Sequence, residues 1–313
     1  GDQCDNCGKL LDPDELVDPV CKICNKSPQL KESEHFFIRL DKLQPRLEEW
    51  IGKNEENWSN NALSTTQSWM KEGLRPRAIS RDLEWGIPIP LEGYEDKVFY
   101  SWFDAPIGYI SITKENRKDW KEWWMNDENV NLTQFMGKDN IPFHTILFPG
   151  FQIGTGDPYT IMKTINVNEY LNYKDGKFSK SRGTGVFGND ARDSGIHADI
   201  YRFYMTINRP EKTDTVFSWE DLQEKLNSEL VGNYGNLVNR ILTFINRFLG
   251  SKVPRLESRE LEYSAEIQGI EEAYSNIELK KASRLILELS KKGNQYFQDK
   301  EPWKLIKEDP KAG

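Results

Sequence analysis

The chain has 313 residues, 37% hydrophobic and 29% charged, which reads as globular and soluble and excludes a disordered polymer. Its 42 Lys and Arg stand against 50 Asp and Glu; the net charge of −8 excludes nonspecific nucleic-acid binding over the whole surface, though not a nucleic-acid partner held by local basic patches. No apolar run reaches the length of a membrane span and no charged-then-apolar leader opens the chain, so no membrane partner is expected.

Residues 1–30 are rich in turns and hold all four cysteines, as Cys4-x-x-Cys7 and Cys21-x-x-Cys24 with 13 residues between the pairs. Thiols paired in this way read as metal ligands in a reducing compartment rather than as a disulfide framework. Each pair is a knuckle able to present two thiolates to a tetrahedral Zn²⁺, and the segment has too few apolar residues to form a core of its own. The spacing leaves two arrangements open: one site with all four cysteines, or two sites each completed by cysteine pairs outside this chain. The opening Gly1-Asp2-Gln3-Cys4 carries no initiator Met, which reads as a piece of a longer polypeptide.

Between 31 and 96, Leu43, Leu47, Trp50 and Ile51 recur at helical spacing, and a second helix is expected over 63–72, stopped by Gly73. His35, beside two Phe, reads as a packed core residue. Arg75-Pro76-Arg77, Arg81-Asp82, Pro88 and Pro90 make an irregular approach to the next element. Residues 97–103 alternate and carry aromatics, which predicts a strand. It runs into Asp104-Ala105-Pro106-Ile107-Gly108-Tyr109, a turn of the kind that ends a strand in a βα crossover, where ligands of α/β sheets sit. A Trp-rich helix is expected over 113–126 and a strand over 131–136. The loop Gly137-Lys138-Asp139-Asn140 follows, then a helix over 141–152 carrying His144. Two strand ends thus bring Trp102, Ala105, Pro106, Tyr109 and His144 toward one cavity.

Short strands over 160–166 and 170–173 lead to a turn at Asp175-Gly176 and to Lys177-Phe178-Ser179-Lys180-Ser181-Arg182-Gly183. A helix over 198–207 and an extended piece over 214–217 come next. Ser218-Trp219-Glu220-Asp221 is a capping box that opens a long helix to about Phe248, and two more helices cover 260–276 and 279–299. The composition shift near residue 217 separates an α/β part from an all-helical tail.

The basic loop places two lysines, an arginine, two hydroxyls and a glycine within seven residues, a composition suited to wrapping a polyphosphate. A kinase or P-loop enzyme would show G-x-x-x-x-G-K-[ST], and none is present. Nucleotidyl transfer is the other route for ATP: attack at the α-phosphate, pyrophosphate leaving, and catalysis by positioning and charge stabilisation.

These motifs resemble one family. KFSKSRG looks like the KMSKS loop of class I aminoacyl-tRNA synthetases. Trp102-Phe103-Asp104-Ala105-Pro106-Ile107-Gly108-Tyr109, then Gly137-Lys138-Asp139 and Phe143-His144, look like the methionyl-tRNA synthetases in particular, and the text around the loop resembles their eukaryotic cytosolic branch. The paired knuckles match the family's zinc-bearing connective peptide, and Asn236-Leu237-Val238-Asn239-Arg240 with Glu301-Pro302-Trp303 match its anticodon-binding helices. The fold this implies is α/β: the C-terminal half of a Rossmann-type parallel sheet, preceded by the zinc-knuckle insertion and followed by an α-helical bundle. Its implied parts are zinc knuckles over 1–30, the rest of the connective peptide over 31–96, and the second half of the catalytic domain over 97–170. The KMSKS-type loop and stem-contact region then occupy 171–217, and a shortened anticodon-binding domain occupies 218–313.

The resemblance implies an ATP-dependent ligase that forms methionyl-adenylate and transfers methionine to tRNA(Met), in the cytoplasm, with ATP·Mg²⁺ as substrate and structural Zn²⁺. It also implies a multi-synthetase complex reached through domains outside this chain. Trp102, Ala105, Pro106, Tyr109, Asn140 and His144 are expected to line the methionine pocket, which fits a thioether that offers little beyond ring contacts and weak acceptance. Asn140 stands where some bacterial members carry an aliphatic residue. Gly137 and Asp139 are expected at the ribose, the Leu171 backbone at the adenine, and Lys177 and Lys180 at the phosphates. Arg81 is expected to contribute to activation, against a structural salt bridge with Asp82 or another carboxylate. Asn236 and Arg240, at i and i+4 on one helix face, and Trp303 are expected at the anticodon. Cys4, Cys7, Cys21 and Cys24 are the expected zinc ligands.

The histidines are His35, His144 and His197, and none sits in the H-x-G-H element of the class. The chain alone is therefore expected not to form the adenylate. A noncatalytic zinc-containing tRNA-binding module is the alternative for the isolated chain, and a sister synthetase for another aliphatic amino acid is a third.

Overall fold

A computed structural model describes residues 16–21, 24–29, 31–174, 176–180, 183–253 and 263–308. Cys4 and Cys7 lie outside the described residues. The chain divides into two compact units, Gly1–Val167 and Asn168–Gly313.

In the first unit, β1 (Phe37–Ile38) pairs antiparallel with β2 (Arg77–Ala78), and β3 (Ser80–Arg81) with β4 (Val98–Phe99). Helix α1 (Leu40–Asn54) turns Leu40, Leu47 and Ile51 inward at helical spacing. Helix α2 (Asn60–Glu72) ends at Gly73, whose φ of 81° is open to glycine without steric cost. β5 (Thr133–Gly137) and β6 (Thr164–Asn168) form a two-stranded sheet. A π-helical turn (Phe143–Leu147) then runs directly into α6 (Phe148–Thr155). Leu40, Leu47, Leu74, Ile146 and Ile153 form one buried cluster; Ile51, Trp58, Ala62, Ile141, Met162, Ile165 and Val167 form a second. Each fully buried Leu or Ile stabilises by roughly 1.5–3 kcal/mol. Glycines let α1 and α6 approach: a Cβ at Gly150 would lie 3.2 Å from Leu40 Cδ2.

The loop before α2 is sewn to β6. Ser59 N–H donates to Ile165 O at 3.0 Å, Val167 N–H to Ser59 Oγ at 3.1 Å, and Trp58 bridges Ile165 in parallel sense.

Three expectations change. Of 97–103 only Val98–Phe99 pairs as a strand; the chain turns at Tyr100 into α3 (Ser101–Asp104). The aromatics that mimic strand alternation pack on helices instead, Trp102 against Phe143 and Phe103 against Phe151, each with ring centroids 4.4 Å apart. The helix expected over 113–126 begins earlier, as α4 (Ile107–Asn116) after Pro106. It breaks at Arg117, whose extended backbone aims a two-pronged bond at Asp119 (2.9 and 2.6 Å), and resumes as α5 (Trp120–Trp124). His35 is half-buried rather than a core residue, with Nδ1 3.1 Å from Ser80 Oγ.

In the second unit, β7 (Leu171–Tyr173), β8 (Gly176–Lys177) and β9 (Thr215–Phe217) form a sheet in the order β8-β7-β9, with β7–β8 antiparallel and β7–β9 parallel. Helices α7 (Gly188–Asp193) and α8 (Ala198–Ile207) lie between β8 and β9 in the chain. Tyr204, Phe217 and Leu222 make the buried centre. Ser218 Oγ accepts the Asp221 N–H at 3.1 Å and opens α9 (Trp219–Lys225), while the Asp221 carboxylate accepts from Tyr204 at 2.6 Å and Lys225 at 2.7 Å. The helix expected to about Phe248 is continuous but not uniform: Leu226–Gly235 is π-helical before α10 (Asn236–Phe248). In that register a Cβ at Gly232 would meet Asn227 O, five residues back, at 2.8 Å, so glycine is required. Helices α11 (Ser264–Ser275), α12 (Leu279–Lys300) and α13 (Pro302–Glu308) complete the unit.

Candidate functional site

Two of the pocket candidates, Tyr109 and Asn140, meet at one buried imidazole, that of His144. His144 is 6% exposed, its Nδ1 lies 2.9 Å from Asn140 O, and its Nε2 lies 3.0 Å from the Tyr109 hydroxyl. A carbonyl only accepts, so Nδ1 carries the proton and the neutral ring accepts the Tyr109 O–H at Nε2. Burial holds the imidazole below its ordinary pKa, with the Asn140 carbonyl pulling the other way. The backbone of Asn140, not its side chain, sets this tautomer. Trp102 is half-buried edge-on to Phe143, Pro106 is buried and Ala105 is exposed. Tyr109 also faces Phe148, ring centroids 6.1 Å apart. Phe148 adds a ring that the sequence motifs do not single out, although it stands four residues after His144 and so on the same helical face. Gly137 ends β5, and Asp139 is exposed just beyond it.

In the second unit, Leu171 starts β7 and is half-buried, Lys177 ends β8, and Lys180 is exposed. Lys177 Nζ lies 4.5 Å from the Tyr170 ring centroid. Paired bonds between Ser179 and Thr184, 2.8 and 3.0 Å, pinch the base of the loop. Phe178 sits against Gly185, where a Cβ would come within 2.4 Å of its ring, and 5.5 Å from Tyr173 between centroids.

The Arg81 guanidinium lies 3.9 Å over the Tyr100 ring and donates to the carbonyls of Ser80 (2.8 Å) and Ala78 (3.2 Å). Asp82 accepts from Lys97 at 2.6 Å and Ser33 at 2.5 Å, which holds its carboxyl at a pKa of about 2. The Lys97 side chain is 8% exposed, and the bond to Asp82 raises its pKa. Nothing in the local sequence couples these two residues, which stand 15 apart.

The helical trio also comes together. Arg240 lies 4.9 Å from the Phe297 ring centroid and 5.9 Å from that of half-buried Trp303, and it donates to Gln298 at 2.9 Å. Asn236 donates to Asn294 Oδ1 at 3.0 Å. Asn294 and Gln298, which no motif marks, repeat at i and i+4 on α12.

Among the described residues no three His, Cys, Asp or Glu side chains group closely enough to hold a metal. Cys21 and Cys24 lie on a closed turn: Asn25 N–H donates to Cys21 O at 2.8 Å, Cys21 N–H to Lys26 O at 2.9 Å, and Asn25 takes a φ of 55°. No helix of the described residues is long and apolar enough to cross a membrane.

The family described as tRNA synthetases class I (M) matches residues 1–242, and the anticodon binding domain of methionyl tRNA ligase matches residues 250–313. A cytoplasmic methionine–tRNA ligase of Arabidopsis thaliana is 52% identical over 324 residues, covering 99% of this chain and 41% of that protein. A methionine–tRNA ligase of Borrelia turicatae is 50% identical over 316 residues, covering 99% of this chain and 44% of that protein. The chain thus spans about two fifths of the length of the curated relatives it matches. The crystal structure of Mycobacterium tuberculosis methionyl-tRNA synthetase bound by methionyl-adenylate superposes with a TM-score of 0.74 at 22% identity, over 91% of this chain and 57% of that one. That likeness gives the fold: α/β with a parallel sheet and a helical C-terminal part. The family match runs unbroken through the Tyr109–His144 elements, the basic loop and the first turn of α10, and the chain belongs to the class I tRNA synthetases (M).

Proposed function

We propose that this chain carries the methionine-selecting, phosphate-binding and anticodon-reading parts of a cytoplasmic methionine–tRNA ligase, which uses ATP to make methionyl-adenylate and passes methionine to tRNA(Met). The observation that carries it is the Tyr109–His144 pair at 3.0 Å, held in one tautomer by Asn140 O. A thioether has no proton to give and accepts only weakly, so it is selected by rings and by polar groups already satisfied elsewhere. Trp102, Phe143 and Tyr109 supply rings, and His144 is bonded at both nitrogens. Pro106 and Ala105 complete the wall. A ligand with a hydroxyl or charge at that position finds no free partner on the imidazole, which favours methionine over polar competitors.

Gly137 and Asp139 would meet the ribose, Leu171 the adenine edge, and Lys177 and Lys180 the phosphates of ATP·Mg²⁺, where fixed cations offset charge that develops as pyrophosphate leaves. Arg81, oriented by Tyr100, is assigned to activation. Asn236, Arg240 and Trp303 would read splayed anticodon bases by donors and stacking.

The donor set and the closed turn at Cys21–Cys24 fit structural Zn²⁺, with Cys4 and Cys7 as the other ligands. Thiolates are soft donors suited to zinc, and the described part of residues 16–29 is almost wholly exposed and needs an external staple. Association with other synthetases would use parts outside this chain.

Saturation-transfer NMR on the methionine methyl group tests the reading. The methyl should take up saturation from the protein's rings and lose it in Tyr109→Ala and His144→Ala. Equal transfer to wild type and both variants would sink the assignment.

A further inference from the structure

Asn294, on α12, stands at the meeting point of three helical segments. Its Nδ2 donates to Asn233 O at 3.0 Å and to Ser290 O at 3.2 Å. Its Oδ1 accepts from Asn236 Nδ2 at 3.0 Å, and Arg240 Nη1 lies 3.5 Å away. Both atoms it meets with its nitrogen are backbone carbonyls, which cannot donate, so the orientation of the Asn294 amide is settled by chemistry. The same logic then passes to Asn236. Because Asn294 presents an oxygen, Asn236 must present its NH₂, which turns the Asn236 Oδ1 and one remaining N–H away from α12. Asn236 itself is exposed.

The backbone is arranged to allow this reach. Gly293 lets α12 approach α10 so closely that a Cβ there would sit 2.8 Å from Leu237 Cδ2. Asn233, whose carbonyl anchors Asn294, is 5% exposed, lies in the π-helical segment and donates from its own Nδ2 to Leu287 O at 2.8 Å. The π register therefore sets where the anchor stands.

We propose that Asn294 is a positioning residue for base recognition: without touching RNA, it fixes which way the Asn236 amide faces and so which base edge that amide accepts. The inference rests on the reading of Asn236 and Arg240 as anticodon residues. An amide presenting an acceptor beside a donor matches a base edge with the opposite order, and a flipped amide reads the reverse pattern. Left without Asn294, Asn236 would sample both orientations, and discrimination among bases would fall even where overall RNA affinity persists.

The test uses the whole chain, a stem-loop RNA bearing the methionine anticodon, and a second stem-loop with one anticodon base changed. Asn294→Leu should reduce the affinity ratio between the two RNAs by about tenfold, the scale of one misplaced hydrogen bond. In the Asn236→Ala background the same change should have little further effect on the ratio. The Asn236 side-chain amide resonances should be shifted from free-amide values in the wild type and should collapse toward those values in Asn294→Leu. An unchanged ratio with collapsed resonances, or full additivity with Asn236→Ala, overturns the positioning role. If Asn236→Ala and Arg240→Ala leave both RNAs bound as before, it is the anticodon reading that fails. Asn294→Asp separates orientation from packing: it still presents an oxygen to Asn236 and Arg240 while losing both carbonyl anchors, so it should keep most of the ratio that Asn294→Leu loses, and a loss equal to that of Asn294→Leu overturns the orienting role.

Discussion

The Tyr109 hydroxyl donates to His144 Nε2 across 3.0 Å, and this bond exists only while the imidazole is neutral. Burial lowers the His144 pKa, so the unfolded chain binds a proton before the folded one does. Its contribution to stability is complete above the ordinary value of about 6.5 and is lost as pH falls below it. An NMR titration of the ring should give a midpoint below that value, and Tyr109→Phe should alter it. A midpoint above it would contradict the bonding described.

Asp82 gives a second, more acidic window. Its carboxyl is held at about 2 by Lys97 and Ser33, so its stabilising share is present above the ordinary value of about 3.9 and disappears as pH falls toward 2. In Asp82→Asn the slope of Tm against pH should flatten in that interval, and Tm near neutrality should drop because Lys97 stays enclosed without its carboxylate. An unchanged slope would show that the pair is idle.

Gly185 has a φ of 139° and touches the Phe178 ring, so Gly185→Ala should destabilise the basic loop by about 1–3 kcal/mol. Limited proteolysis near Lys177–Lys180 should accelerate. Adding Phe178→Ala removes the clash but not the backbone strain, and it should restore part of the resistance.

Trp303→Ala should weaken stem-loop RNA binding about 10- to 100-fold, as expected for a stacking loss of roughly 1–3 kcal/mol. Methionine saturation transfer should remain intact. Equal loss in both would make Trp303 a packing residue.

Much of this was legible in the residues. Gly73 stops α2 because it can take a positive φ, and 198–207 is a helix because its apolar positions recur at helical spacing. Tyr109 and His144 could be picked out because their turn and loop were distinctive. What escaped was tertiary. Phe99 to Phe103 look like a strand by alternation, yet Phe143 and Phe151 offer better partners to a helical turn. Lys97 reads as a surface lysine until Asp82 is folded beside it. The π register of Leu226–Gly235 leaves only glycines at 232 and 235 as a trace.

The stitching of Trp58 and Ser59 to Ile165 and Val167 has a consequence for anyone who would cut this protein apart. A segment that looks in the sequence like a detachable insertion supplies the flank of β6. Excising or transplanting residues 31–96 would strip that strand of its neighbour and unroof Ile165. The insertion and the sheet should therefore be inherited, swapped and engineered together as a single heritable piece.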